Sequence, residues 1–277
     1  MKKMLFLLLF ISCNASAANW ITSFEAAQKL AIGSNRLILV DFWATWCAPC
    51  RAMDQESWSD PEVEKLLGEF IPLRVDIDRD KSFANKYDVK AIPYVYIMDA
   101  HGEVLYKSRG YMNKEEVMEA LKKYALNTEF LQRETLNYYK HENYVSSIRM
   151  AQKYMDYSLF LEGGVQNSFL EVARNYLKNA KRSLDKKQSN YRFMLEKIDL
   201  IDLTVDLYSG NYNKVARQME KIDSEALDAK NKVQYSFLKY CLAKVEKDEP
   251  AQEKWKEVLL AEDSDIYLKK SEMFTGK

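Results

Sequence analysis

Apolar positions in the first half of the chain switch between a helical and a strand period. Phe24, Ala27, Leu30 and Ala31 share one helical face behind Ser23, which is placed to cap that helix. Leu37 to Phe42 is an apolar run broken only by Asp41, the pattern of a central strand covered on both faces. A short helix carrying Cys47 and Cys50 follows. Asp60-Pro61 then supplies a cap and a first-turn proline for a helix that turns Val63, Leu66, Leu67 and Phe70 inward. Leu73, Val75 and Ile77 alternate with charged residues, which predicts a second strand. A short helix from Lys81 to Tyr87 leads to a third strand, Tyr94 to Met98. Ala100-His101-Gly102 turns the chain into a fourth, Glu103 to Ser108, and Asn113 opens a helix running through Tyr124. The order is helix, strand, helix, helix, strand, helix, strand, strand, helix, an α/β layout with a mixed sheet.

The second half has another texture. Four of the five prolines lie before residue 94, and residues 128–277 hold only Pro250 and four glycines among Leu, Lys, Glu and Tyr. That composition predicts an all-α domain. Asn143-Tyr144 and Asn211-Tyr212 recur 68 positions apart, twice the 34-residue period of tetratricopeptide-like helical hairpins. Each is read as a turn between antiparallel helices, with a third turn at Lys247-Asp248-Glu249-Pro250; an irregular bundle is the competing layout.

The N-terminus changes where the chain is expected to work. Lys2 and Lys3, an apolar core from Met4 to Ile11 and the small residues Ala15-Ser16-Ala17 form the pattern of an export signal over residues 1–17. The apolar run is about half the ~20 residues of a membrane span. A lipid anchor on Cys13 is the weaker alternative, because Phe10 is a poor residue three places upstream. The expected layout is therefore a signal over 1–17, an α/β domain over 18–127 and a helical domain over 128–277. Lys plus Arg and Asp plus Glu number 41 each, with no long run of one sign, so there is no nucleic-acid footprint.

With the signal removed, Cys47, Cys50 and Cys241 remain, too few for a disulfide scaffold. Cys47 at the start of a helix gains the positive end of the dipole and free N–H groups, which favour its thiolate; it is expected to be the exposed nucleophile. Cys50, one turn later, can attack a mixed disulfide formed on Cys47. Pro49 fits the first helical turn and limits the flexibility of the dithiol form. No histidine or other cation lies between the cysteines, which leans the pair toward reduction of its targets. Asp41, ending an apolar strand, is either a buried acid that accepts the Cys50 proton or a solvated strand-end residue. A zinc site is not supported: it needs four ligands, Cys241 stands alone, and His101 and His141 have no ligand spacing. Cys241 reads as a small buried apolar residue. Neither thiol needs a metal or organic cofactor.

Residues 20–127 resemble the thioredoxin superfamily. Val40-Asp41-Phe42-Trp43-Ala44 followed by Trp46-Cys47-Ala48-Pro49-Cys50-Arg51 is similar to its active-site run, Ala91-Ile92-Pro93 to its cis-proline loop, and Gly102 and Gly110 fall where the family has glycines. The resemblance implies a thioredoxin fold, Cys47 as nucleophile, Cys50 as resolving thiol, Asp41 as buried acid, Trp43 and Trp46 as active-site walls, and Ile92 with Pro93 as the substrate loop. Gln55 replaces a helix-kinking proline and Pro72 stands where a lysine often lies near the buried acid. Met53 to Val75 looks more like the thioredoxin-like domains of exported reductases in the bacterial envelope.

These features predict an exported thiol:disulfide oxidoreductase in the bacterial periplasm that reduces protein disulfides through Cys47 and Cys50 and draws electrons from a membrane-embedded donor. The rivals are an oxidant or isomerase, and a partner-binding or chaperone module carried by the helical domain. Residues 128–277 show no catalytic constellation; a helical array offers a surface for a protein partner or self-association.

Overall fold

The computed structural model describes residues 19–261 and 265–275. The export segment read over residues 1–17 lies outside the described residues. Ser23 caps α1 (Phe24–Ser34) by accepting from the Ala26 N–H. β1 (Ile38–Trp43) runs parallel to β2 (Ile71–Asp76) and antiparallel to β3 (Tyr94–Met98), which pairs antiparallel with β4 (Val104–Arg109); the sheet order is β2-β1-β3-β4. Between the strands lie α2 (Ala48–Met53), a π turn (Asp54–Trp58), α3 (Pro61–Leu67) and α4 (Lys81–Lys86), and α5 (Lys114–Tyr124) follows β4. The predicted order of elements and the mixed sheet are both present.

Strand alternation divides the packing. Ile38, Val40 and Phe42 point with Leu73 and Val75 to one face, under Ala27, Ala31 and Phe83 of α1 and α4. Leu37 and Leu39 point to the other, under Met53, Val63, Leu67, Val117 and Leu121 of α2, α3 and α5. Leu30, expected inward, is 50 % exposed: it lies about 100° round the helix from Ala31, off the narrow alanine stripe. Phe70 is buried but follows the end of α3, and Ile77 lies past the end of β2, its N–H bonded to the Trp43 carbonyl at 3.0 Å.

After residue 131 the regular elements among the described residues are helices: α6 (Gln132–Lys140), α7 (Tyr144–Ser158), α8 (Gly163–Ser183), α9 (Tyr191–Tyr208), α10 (Tyr212–Met219), α11 (Ala229–Glu246), α12 (Glu249–Ala261) and α13 (Asp265–Thr275). Asn143 caps α7 by accepting from Val145 and Ser146 N–H, whereas Asn211 precedes α10 without a side-chain cap. Lys247, at φ 59°, ends α11 before α12 begins. All three turn signals therefore lie at junctions between helices, with Tyr144, Tyr212 and Glu249-Pro250 already in the helix that follows.

The helical region shares one apolar cluster with the α2/α3/α5 face of the sheet, continuous from Leu37 to Leu259. Its polar anchor is Asp99, 4 % exposed, just past β3. Asp99 Oδ1 accepts from the N–H groups of His101 (2.8 Å) and Glu103 (2.9 Å), and Oδ2 accepts from the hydroxyls of Tyr154 (2.9 Å) and Tyr176 (2.6 Å) on α7 and α8. A buried carboxylate so paired avoids most of its desolvation penalty and fixes where the helices sit. Because Met98 pairs with Ile38 at the start of β1, this anchor lies at the opposite end of the sheet from the cysteines. The length of β1 separates the two by about 17 Å.

Candidate active site

Cys47 and Cys50 are joined in a disulfide. Cys47 is the N-cap of α2, its Sγ accepting from the Cys50 N–H at 3.2 Å. The strand end delivers it there: Cys47 N–H bonds the Ala44 carbonyl (3.1 Å), and Arg51 N–H bonds the Cys47 carbonyl (3.2 Å) to open the helix. Pro49 sits in the first turn, where its missing N–H costs no bond, and is solvent-exposed. Cys47, expected to be exposed, is buried in this disulfide state along with its partner: 3 % exposed against 2 % for Cys50. Ala44 is buried with the pair, and Trp43, Ile77 and Ile92 pack against this cluster.

The second wall comes from the segment before β3. The Ile92–Pro93 peptide bond is cis, Pro93 is buried, and its carbonyl accepts from the Gly110 N–H at 2.8 Å. Gly110 has φ 98°, a left-handed conformation that favours glycine. Trp46 is 63 % exposed and its Nε1 donates to Asp78 Oδ2 at 2.7 Å, which fixes an indole beside the disulfide.

Asp41 is 2 % exposed, so the solvated strand-end reading is set aside. The alternation that sends Val40 and Phe42 to the α1 face sends Asp41 to the α2 face. Burial pushes its carboxyl up to about 7; the Arg74 guanidinium opposes that shift, and Asp54 adds to it. The parallel register sets Arg74 opposite Asp41, with Nε 3.2 Å from Oδ2. That N–H finds no aligned acceptor, so the contact is an ion pair without a directed hydrogen bond. Arg74 also donates through Nη2 to Asp54 Oδ1, at the start of the π turn. Its guanidinium carbon lies 4.2 Å from the Trp43 ring centre and 5.8 Å from that of Trp20.

Beside this group opens a cleft of about 310 Å³, lined by Trp20, Thr22, Trp43, Arg74, Asp76 and Arg79 among others. The structure thus gathers Cys47, Cys50, Trp43 and Ile92 into one cluster; Trp46 and Pro93 are the chain neighbours of Cys47 and Ile92, and Asp41 sits on β1 paired with Arg74. Arg74, Asp54, Asp78 and Trp20 are missed by sequence reasoning. The alternation of charge with Leu73 and Val75 marks Arg74 as a one-face strand residue, but only the β1–β2 register names its partner. Cys241 is buried in α11, where burial pushes its thiol far up. Among the described residues no group of three or more His, Cys, Asp or Glu is placed to hold a metal ion.

Chemically, the arrangement can run a dithiol–disulfide cycle: a helix-capping sulfur, a second sulfur one turn on, a buried acid of raised pKa and a cis-proline segment opposite. A family model described as a thioredoxin-like domain matches residues 24–125, so α6 to α13 lie outside it. Over 90 residues the chain is 38 % identical to the thioredoxin of Staphylococcus epidermidis, spanning 31 % of this chain and 80 % of that protein. It is 27 % identical over 103 residues to the thiol:disulfide interchange protein DsbD of Photorhabdus laumondii, spanning 35 % of this chain and 18 % of that one. Among solved structures, a Fasciola hepatica thioredoxin matches at 32 % identity, with 35 % of this chain and 89 % of that chain covered and a TM-score of 0.29.

Proposed function

The chain belongs to the thioredoxin-like family of thiol:disulfide oxidoreductases, and from that premise we propose that it is an exported protein-disulfide reductase. The observation that carries the reading is the Cys47–Cys50 disulfide at the start of α2, facing the Ile92–Pro93 segment. In the reduced protein, the Cys47 thiolate attacks a substrate disulfide. One substrate sulfur leaves as a thiolate and takes a proton from water, and a mixed disulfide remains on Cys47. Cys50 then gives its proton to the Asp41 carboxylate and attacks Cys47 Sγ. The second substrate sulfur leaves, and the pair ends as the disulfide seen here, two electrons having passed to the substrate.

The proposed direction is supported by what steadies the Cys47 sulfur. The Cys50 backbone N–H donates to it, and the neighbouring Arg51 directs Nη1 to the Thr45 carbonyl at 2.6 Å instead. Modest stabilisation of the thiolate makes the dithiol form a willing donor of electrons. Trp46, Ile92 and Pro93 are assigned to the substrate chain, and Trp43 and Pro49 to the walls of the site. Export rests on the Met4 to Ile11 run and the Ala15-Ser16-Ala17 site. An exported reductase is cut off from cytosolic reductant, so its electrons come through a membrane-embedded donor, in the bacterial periplasm.

The helical region, docked at the far end of the sheet, leaves the disulfide face open to protein substrates. It is assigned a partner or self-association surface, for which the ring cluster of Phe130, Tyr157 and Phe160, the last 64 % exposed, is the support. The test is capture on a Cys50→Ser variant in intact cells. Mixed disulfides that vanish when Cys47 is also changed to Ser support the proposal; equal capture with and without Cys47 overturns it.

A further inference from the structure

The helical region carries positive charge that its own ion pairs leave unmatched. Along α7, Arg149, Lys153 and Tyr157 recur at i, i+4 and i+8, so they lie on one face, and Phe160 follows just past the helix end. The first two of these line a cleft of about 620 Å³ between α6, α7 and α13, together with Arg133, Lys270, Glu134 and Asp156. Arg133 Nη2 pairs with Glu134 at 2.7 Å and Lys270 Nζ with Asp156 at 2.6 Å, so both acids already have a cation. Arg149 and Lys153 are in no ion pair among the described residues. Burial and the Arg149 charge push the Lys197 amine of α9 below its ordinary value, as expected where positive charge is left unbalanced. At the other end of the strip, Lys153 Nζ stands 3.9 Å from the Phe130 ring centre, and Phe130 packs on Tyr157 and Phe160. Phe130 is 43 % exposed and Phe160 64 %.

A pocket for a buried small molecule is lined mainly by apolar groups, whereas this cleft is lined by charges. Unmatched cations at one end and open aromatic rings at the other suit an extended chain. From Arg149 to Tyr157 is about 12 Å along the axis of α7, the span of about four extended residues. We propose that this strip is a docking site for an acidic peptide segment of a partner protein, whose Asp or Glu side chains lie against Arg149 and Lys153 and whose apolar residue packs on Phe130 and Phe160. The assignment rests on the reading of the helical region as a partner surface and gives that partner a chemistry; no thiol takes part in it. Carboxylates form charge-assisted bonds with both cations, and the Arg149 guanidinium can hold one through two nitrogens. The rings shield the same contacts from water on one side, which strengthens them. Tyr154, in the same helix, is bonded to Asp99, so the strip is carried on an element fixed to the end of the sheet away from the cysteines. A partner held there leaves the Cys47–Cys50 face open.

The experiment is fluorescence anisotropy of the oxidised full-length protein with two labelled peptides, one carrying Glu-Asp-Glu beside a single Phe, the other Gln-Asn-Gln beside the same Phe. The acidic peptide is expected to bind roughly tenfold more tightly, and to weaken by about three- to tenfold between 50 and 300 mM salt. Changing both Arg149→Gln and Lys153→Gln should weaken it about tenfold and Phe160→Ser roughly threefold, while Lys123→Gln, a charge change on α5 outside the cleft, leaves it as it was. Equal binding of the two peptides, or an equal loss in Lys123→Gln, overturns the proposal. Phosphatidylglycerol vesicles that bind where the peptide does not overturn it in favour of a membrane surface. A dimer that Phe160→Ser abolishes, without peptide binding, overturns it in favour of self-association; each of these results leaves the reductase reading standing. Arg149 and Phe160 are both exposed, so should the double variant fail to fold, Arg149→Gln and Phe160→Ser carry the test singly: weaker binding in each supports the proposal, and unchanged binding overturns it.

Discussion

Replacing Asp41 by asparagine turns the buried acid into a stability measurement. Asp41 is 2 % exposed, and burial raises its carboxyl from 3.8 to about 7 against the pull of Arg74. Between those two values the folded chain keeps a proton that the unfolded chain releases. Stability therefore falls as pH rises through the window, the reverse of a salt-bridged surface aspartate. Each pH unit corresponds to about 1.4 kcal/mol, so the three-unit window amounts to a loss of up to about 4 kcal/mol by pH 8. Asparagine has nearly the same shape and no charge, and does not incur that loss. The assay is the urea unfolding of oxidised wild type and Asp41→Asn at matched pH between 4 and 8.5. The two should agree within about 1 kcal/mol at pH 4, with the variant ahead by roughly 2 to 4 kcal/mol at pH 8, because all other titrations cancel in the difference. Curves that run parallel across this range, or a wild type that gains on the variant as pH rises, refute the reasoning.

Three further changes probe other parts of the account. Asp99→Ala leaves the Tyr154 and Tyr176 hydroxyls without their acceptor and should cost about 3 to 5 kcal/mol in urea unfolding, whereas Tyr154→Phe removes one of the four bonds and should cost about 1 to 2 kcal/mol. Trp46→Phe gives up the bond to Asp78 on an exposed ring; stability should hold within about 0.5 kcal/mol while KM for insulin rises more than kcat falls. Cys241→Ala should leave insulin reduction unchanged, because that thiol is buried in α11 outside the disulfide cluster; a matching loss of activity would show a third redox thiol.

The sequence reads well wherever the signal is local. The switch from strand to helix at Trp43 to Ala48, the cap at Asn113 and the hairpin at Ala100 to Gly102 are each written in a few adjacent residues, so the order of helices and strands through α5 is legible, whereas the individual helices after it are not. The pairing of Asp41 with Arg74 is not, because it depends on which residue of β2 lies opposite β1, a register decided by the packing of two faces. Pro72 draws attention as the position where a lysine is usual, yet the cation comes from Arg74, two residues on and on the same face. Gln55 marks a missing proline; what forms in its place is a π turn that begins at Asp54, the other partner of Arg74. The Asp99 anchor joins residues 55 and 77 positions apart, beyond any local pattern. Leu30 shows the opposite error, an apolar residue near the right period but at the margin of a stripe made narrow by alanines.

The central claim is that Cys47 and Cys50 form a reducing pair, and the equilibrium reduction potential of the full-length protein against a glutathione or dithiothreitol couple tests it most directly. A reducing pair has a value near that of a reducing thioredoxin, about −270 mV, lost when either cysteine is changed to serine. A value near −120 mV, that of a strong disulfide oxidant, contradicts it.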